Sequence, residues 1–146
     1  MKTLLLIEDS KFLRMATERL LVKEGYVILC ANDGEQALSI ARERRPDMVI
    51  LDMLLPKISG IELLNKLKSG SLTSGIPVIV LSGMSQRNEE KLKRAGASAF
   101  LEKGPLLENP KPLLEAIETI LAQTPPWLPT TIEETPLAIN AKDAGQ

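Results

Sequence analysis

The chain of 146 residues contains no histidine and a single cysteine, Cys30. Without histidine it lacks the commonest general base and metal ligand of proteins. With one cysteine it can form neither an intramolecular disulfide bond nor a cysteine metal site. Any chemistry must therefore come from carboxylate, lysine and hydroxyl side chains.

Long apolar runs and an excess of basic residues are missing as well. The apolar stretch at the N-terminus is interrupted by Glu8 and Asp9, well before a signal-peptide core or a membrane span would be complete. The net charge of -1 gives no electrostatic reason to expect binding to the phosphates of a nucleic acid. We therefore expect a cytoplasmic protein that binds neither membrane nor nucleic acid directly.

Short apolar runs alternate along the chain with segments of helical periodicity. The runs are rich in Val, Ile and Leu and predict β-strands over residues 4–7, 26–30, 48–51, 78–81 and 99–101. Five amphipathic helices are predicted around them, and the apolar face of the first includes Phe12 and Ala16. This alternation is typical of an α/β fold with a parallel sheet, helices on both faces and right-handed crossovers.

The composition changes at residue 124. Four prolines occur in the short polar stretch that follows, namely Pro125, Pro126, Pro129 and Pro136. We predict one folded domain over residues 1–123 and a flexible, Pro-rich tail or linker over residues 124–146.

Polar residues follow several of the predicted strands. Glu8 and Asp9 follow the first strand, Asp52 the third, Ser82 the fourth and Lys103 the fifth. The carboxyl ends of parallel strands meet at one edge of the sheet, where ligands bind. Three carboxylates at that edge repel one another unless a cation lies among them, and oxygen ligands suit Mg²⁺. A Mg²⁺ site is the resulting hypothesis, although any one acid at a strand end serves equally well as a helix cap.

Four segments carry a resemblance to a known family. They read LLLIEDS, DMVILDMLLPKISGIELL, IPVIVLSG and GASAFLEK. In this order and spacing they resemble the response-regulator receiver domains of bacterial two-component signalling, over about residues 3 to 122. The resemblance implies a single-domain, chemotaxis-regulator-like protein with a flavodoxin-like strand order of 2-1-3-4-5 and five helices.

The resemblance also implies a phosphoacceptor and a metal site. Asp52 corresponds to the aspartate that accepts the phosphoryl group. Glu8 and Asp9 correspond to the acidic pair that holds Mg²⁺ together with Asp52, and the backbone carbonyl of Leu54 is a further implied ligand.

Three more positions take roles by resemblance. Ser82 corresponds to the switch hydroxyl that contacts the phosphoryl group, and Lys103 to the lysine that pairs with the phosphoryl oxygens. Phe100 corresponds to the switch aromatic, although a Phe at this position is as often plain core packing.

The partners follow from the same resemblance. Since the chain has no histidine, its phosphoryl donor must be a separate sensor histidine kinase or phosphotransfer protein. No effector domain is expected within the chain, so the output is expected through a downstream protein or a homodimer on the surface of the fourth helix, fifth strand and fifth helix. The chain is not expected to be an enzyme beyond assisting its own phosphorylation. Apolar Leu54 and Met84 suggest slow self-dephosphorylation, although both side chains could equally just shield the site.

Two other functions remain as alternatives. An aspartyl-phosphate hydrolase is disfavoured because Leu54 stands where such enzymes carry a second carboxylate. A receiver-shaped binding module that works without phosphorylation draws support from Gly104, which separates Lys103 from Pro105 where the family usually has lysine directly before proline. A Lys-Gly bond has little reason to be cis. The start of the fifth helix is expected between residues 109 and 113.

Overall fold

The computed structural model describes residues 1–52, 60–82 and 89–123. Within these ranges the chain forms one parallel sheet in the order β2-β1-β3-β4-β5. The strands are β1 Thr3–Ile7, β2 Val27–Ala31, β3 Met48–Asp52, β4 Val78–Ser82 and β5 Ala99–Glu102. The predicted strands and the predicted strand order are therefore confirmed. The predicted roles of Leu54 and Met84, and the predicted tail, lie outside the described residues.

Helices cover both faces of this sheet. Their bounds are α1 Lys11–Lys23, α2 Gly34–Arg44, α3 Gly60–Ser69, α4 Glu89–Arg94, α5 Lys103–Glu108 and α6 Lys111–Gln123. The α6 helix is the predicted fifth helix, and its start lies inside the predicted interval. The helix α5 was not predicted. It follows β5 directly, and Pro105 fits in its first turn because a backbone N–H there has no acceptor within the helix.

The alternation of side chains along each strand produces two apolar cores. In β1, Leu5 and Ile7 point towards α2, α3 and α4, whereas Leu4 and Leu6 point towards α1 and α6. All residues of β3 are buried, as expected for a strand in the middle of a parallel sheet. The edge strand β2 is only partly buried, because one of its sides has no neighbouring strand.

The first helix differs from its prediction in one respect. Leu21 is fully buried and Leu13 and Leu20 face the same core, but Phe12 and Ala16 lie on the solvent side of α1. The prediction that Phe12 and Ala16 belong to the buried face is wrong, because α1 carries apolar residues on two sides and only packing selects the inner one.

Polar side chains cap the first two helices. Ser10 caps α1 by accepting a hydrogen bond from the Leu13 N–H, and Asp33 caps α2 by accepting one from the Gln36 N–H. No cis peptide bond occurs in the described residues, in agreement with the expectation for the bond between Lys103 and Gly104. No helix in the described ranges is long and apolar enough to cross a membrane.

The turn between α4 and β5 is closed over a half-buried lysine. The Lys68 Nζ donates hydrogen bonds to the carbonyl oxygens of Ile76 at 2.6 Å and Ser74 at 3.2 Å. The backbone of Gly96 passes directly above this side chain with a φ of 111°. A Cβ atom at Gly96 would lie 2.7 Å from the Lys68 Cγ, so this position requires glycine for both its conformation and its space.

We expect Gly96→Ala to lower the free energy of unfolding by about 1–3 kcal/mol, through backbone strain and the displaced lysine. The matched control is Gly104→Ala, whose Cβ meets no atom within 4 Å and which lies in a helix. The control should be neutral or stabilising by up to about 1 kcal/mol. Urea denaturation of both variants measures the difference, and equal stabilities would contradict this role of Gly96.

Candidate functional site

The candidate site lies where β1 and β3 end side by side. Ile7 pairs with Leu51 across these strands, so Glu8 and Asp52 extend from neighbouring positions at the carboxyl edge of the sheet. The strand order reverses at β1, since β2 lies on one side of it and β3 on the other. Open α/β sheets bind ligands at such a position because the following loops diverge and leave a crevice.

A lysine from the far side of the sheet reaches into this edge. The Lys103 Nζ lies 2.7 Å from the Glu8 Oε1 and 3.0 Å from the Asp52 Oδ2. Both carboxylates are buried, and the lysine is only partly exposed. The ammonium group thus bridges two acids that would otherwise face each other without compensation.

The loop from β1 to α1 is held by its own hydrogen bonds. The Glu8 N–H donates to the Ala31 carbonyl of β2 at 3.1 Å, and the Ser10 N–H donates to the Glu8 Oε2 at 3.2 Å. The Arg14 guanidinium, one turn into α1, donates to the Glu8 carbonyl at 2.9 Å. These bonds hold both the backbone and the carboxylate of Glu8 in place. Sequence reasoning missed Arg14, although an arginine one turn after a capping serine was a visible signal.

Burial and pairing shift the acid-base properties of two of these groups in the same direction. Burial raises the pKa of the Glu8 carboxyl, and the hydrogen bond from Lys103 only partly offsets that rise. Burial lowers the pKa of Lys103, but the hydrogen bonds and charges of Glu8 and Asp52 outweigh it, so the net pKa is raised. Lys103 therefore stays charged at neutral pH, as the two acids require.

Three carboxylates at this edge are close enough to share a metal ion. One oxygen each from Glu8, Asp9 and Asp52 lies within 4.8 Å of the others, and Asp9 is the exposed member. Oxygen atoms on opposite sides of Mg²⁺ are about 4.2 Å apart, so a small contraction would complete the arrangement. The residues present therefore fit a divalent cation with oxygen ligands.

The remaining predicted residues, Ser82 and Phe100, lie at different distances from the carboxyl edge of the sheet. Ser82 is buried at the end of β4, in register with Glu102. Asp52 pairs with Leu81, so Ser82 extends one residue beyond it at the same edge. Phe100 is half-buried, lies beside Val80 and packs against the core under α4. This position is compatible with both of its predicted roles, packing and switching.

A small cavity of about 40 Å³ adjoins the paired charges. Its polar end consists of Glu8, Asp52 and Lys103, and the remainder lies between α1, α5 and α6. Leu106 of α5 forms part of its wall, so the helix that sequence reasoning missed closes one side of the site. Interrupted by Gly104 and Pro105, this segment has no clear helical pattern in sequence.

Comparison with known proteins agrees with this arrangement. A family sequence profile described as Response regulator receiver domain matches residues 4–118. The chain is 31% identical over 103 residues to the Polar-differentiation response regulator DivK of Brucella anthropi. The aligned region covers 70% of this chain and 84% of DivK. The chain is also 33% identical over 126 residues to the Phosphate regulon transcriptional regulatory protein PhoB of Pseudomonas aeruginosa. That aligned region covers 86% of this chain and 54% of PhoB.

Solved structures show the same fold. A CheY-like response regulator receiver domain protein from Methanospirillum hungatei has a TM-score of 0.76 and 27% identity, covering 85% of this chain and 96% of its own. The response regulator TrrA from Thermotoga maritima, solved in complex with Mg²⁺-BeF, has a TM-score of 0.74 and 28% identity, covering 82% and 99%.

We expect Lys103→Met to lower the free energy of unfolding by about 1–3 kcal/mol near pH 7.5, because it leaves two buried carboxylates without a cation. The loss should shrink towards about pH 5. Since the pKa of Glu8 is raised in the folded state, the folded protein takes up a proton before the unfolded chain does, and lower pH favours folding at this group.

Urea denaturation at both pH values, with Lys2→Met at an exposed lysine as the control, measures this effect. A loss that is equal at both pH values would contradict the proposed charge compensation.

Proposed function

The chain belongs to the response regulator receiver domain family, and from that premise we propose that it is a signalling switch that accepts a phosphoryl group on Asp52. The observation that carries the proposal is the contact of Asp52 with Lys103 beside the acidic pair Glu8 and Asp9. A carboxylate is a weak nucleophile, so transfer depends on alignment and on neutralising negative charge. This site offers both within a few ångströms.

The transfer itself is a displacement at phosphorus. A carboxylate oxygen of Asp52 attacks the phosphoryl group, the bond from phosphorus to the donor breaks, and the donor leaves with its electron pair. Lys103 already donates to Asp52 at 3.0 Å, so its ammonium group is within reach of phosphoryl oxygens attached there. Lys103 is the first residue of α5, so a movement of this lysine would also move the start of the helix.

A metal ion is part of the proposal. Glu8, Asp9 and Asp52 would hold Mg²⁺, and the metal would neutralise the charge that spreads over the equatorial oxygens during transfer. The solved relative TrrA in complex with Mg²⁺-BeF supports this assignment. The backbone carbonyl of Leu54, which we keep as a proposed further ligand, lies outside the described residues.

The conformational response is proposed to run through β4 and β5. A phosphoryl group on Asp52 would attract the Ser82 hydroxyl by a new hydrogen bond and change the space beside β5. Phe100, half-buried next to Val80, would then pack further inward. Because Phe has no hydroxyl, its gain must come from apolar burial alone.

The partners are proposed by chemistry and not by name. The chain has no histidine, so a separate sensor histidine kinase or phosphotransfer protein would supply the phosphoryl group. The output is proposed to pass to a downstream protein or a second copy through the surface of α4, β5 and α6. We propose a cytoplasmic location, with which the free Cys30 is compatible.

We also propose that the chain is no enzyme beyond assisting its own phosphorylation and slow dephosphorylation. A phosphorylation-independent binding module is the competing proposal. Such a module has no need for Asp52, Lys103 and the acidic pair to converge, whereas a phosphoacceptor needs all of them.

Incubation with acetyl phosphate and Mg²⁺ should add one phosphoryl group to the protein, detectable by intact mass. The adduct should require Mg²⁺ and be lost in Asp52→Ala. Asp33→Asn is the matched control, since Asp33 follows the neighbouring strand β2 and caps α2, a role that asparagine preserves. If no adduct forms with acetyl phosphate or with a phosphohistidine donor, the binding-module proposal replaces this one.

Mg²⁺ binding can be tested separately. We expect Asp9→Asn to weaken binding of Mg²⁺ roughly tenfold or more, because it removes one of the three negative charges of the proposed ligand set. Isothermal titration calorimetry with MgCl₂ measures the change, and Asp33→Asn again serves as the control. Unchanged affinity in Asp9→Asn would remove Asp9 from the metal site.

A further inference from the structure

The outer face of α1 carries an apolar stripe that nothing in the described residues covers. Phe12 is 77% exposed, Met15 41% and Val22 52%. Together with Arg19 these residues follow the spacing of 3, 4 and 3 that places side chains on one side of a helix. The stripe therefore runs along nearly the full length of α1, opposite to the face that packs on the sheet.

This stripe is a concentration of exposed apolar surface. Single exposed apolar residues are normal, but three of them on one side of a helix, with Arg19 between Met15 and Val22, favour a contact. In the described residues the other large apolar side chains that are clearly exposed are Met1, Val27 and Leu72.

The C-terminal end of the described chain lies at the same edge of the sheet as the Val22 end of α1. Helices α1 and α6 pack on the same face of the sheet and share the wall of the cavity described above. Tyr26, in the turn after α1, packs against the same core as Ile120 and Leu121 in the second half of α6. The chain therefore leaves α6 at Gln123 on the same face of the sheet as α1, at the edge where α1 also ends.

The segment that continues from this point has the right length and apolar content. Trp127 is four residues after Gln123, a distance of up to about 14 Å when the chain is extended, compared with about 10 Å between neighbouring helices. Trp127 and Ile132 are five residues apart, or up to about 17 Å. The stripe from Val22 to Phe12 is about 15 Å long.

The charges of the two partners are complementary. The exposed side of α1 carries the basic residues Lys11, Arg19 and Lys23. Directly after Ile132 the chain continues with Glu133 and Glu134. A segment that runs from Val22 towards Phe12 would bring these acids to the N-terminal end of α1, where Lys11 lies.

We propose that residues 127–134 fold back onto the outer face of α1, with Trp127 at Val22 and Ile132 at Phe12. The contact is intramolecular, so a modest intrinsic affinity suffices because the segment is tethered at Gln123. The covered face begins next to the loop that holds Glu8 and Asp9, so the segment lies beside the entrance of the acidic site. The docking itself does not depend on the function proposed for that site.

Trp127 is the only tryptophan of the chain and therefore reports its own contact. In the full-length protein we expect a blue-shifted tryptophan emission and protection from quenching by acrylamide. The double variant Phe12→Ser, Met15→Ser should shift the emission to the red and raise the quenching constant severalfold. Both positions are exposed, so the fold should be retained, which circular dichroism and urea denaturation can check.

Leu72→Ser is the matched control, because Leu72 is 49% exposed and lies in the loop between α3 and β4, away from α1. It should leave the emission and the quenching unchanged. Emission typical of water-exposed tryptophan in the unaltered chain, or an equal response to both substitutions, would overturn the proposal.

A second copy of the chain is the other possible occupant of the stripe. An intramolecular contact gives emission and quenching that are independent of protein concentration, with a monomer in sedimentation velocity. Burial of Trp127 that grows with concentration together with a dimer would overturn the intramolecular contact. These measurements need no phosphoryl donor or metal, so their failure is distinguishable from failure of the phosphoacceptor function.

Discussion

The structure depends on the compensation of buried charge at one edge of the sheet. Glu8 and Asp52 are carboxylates shielded from water, and Lys103 is the cation that bonds to both of them. Burial of either acid alone would be costly unless it were paired and hydrogen-bonded. Since the three residues lie at the ends of β1, β3 and β5, they meet only when the intervening strands are in register. The charged cluster thus couples the chemistry of the edge to the folding of the whole sheet.

The same cluster suits the metal and phosphoryl roles that we propose. Lys103 bridges the two acids, and in the proposed switch Mg²⁺ would compensate their charge and leave the lysine for phosphoryl oxygens. Lys103 is also the first residue of α5, whose Leu106 lines the cavity beside the acids. A change in the partners of the lysine would therefore be transmitted to packing between α1, α5 and α6.

Residues at the start of helix α1 hold the loop of the site in place, and the outer side of the helix exposes apolar side chains. Ser10 and Arg14 hold the loop in which Glu8 and Asp9 lie, through hydrogen bonds to backbone and side chain. The opposite face exposes Phe12, close in sequence to both. Any protein segment that covers this face lies next to the acidic pair, because the helix begins immediately after it.

The sequence by itself determined the alternation of strands and helices, the parallel sheet and the strand ends that carry Glu8, Asp52 and Lys103, because buried strands and caps leave local patterns. The strand order followed from a family resemblance and was confirmed. Only the tertiary structure decided that Lys103 bonds to both acids, since that pairing joins residues far apart in the chain. It also decided the existence of α5 and the exposure of Phe12. The segment of α5 has no clear helical pattern because Gly104 and Pro105 interrupt it. The exposure of Phe12 has no local signal because a helix with apolar residues on two sides is oriented only by what packs against it.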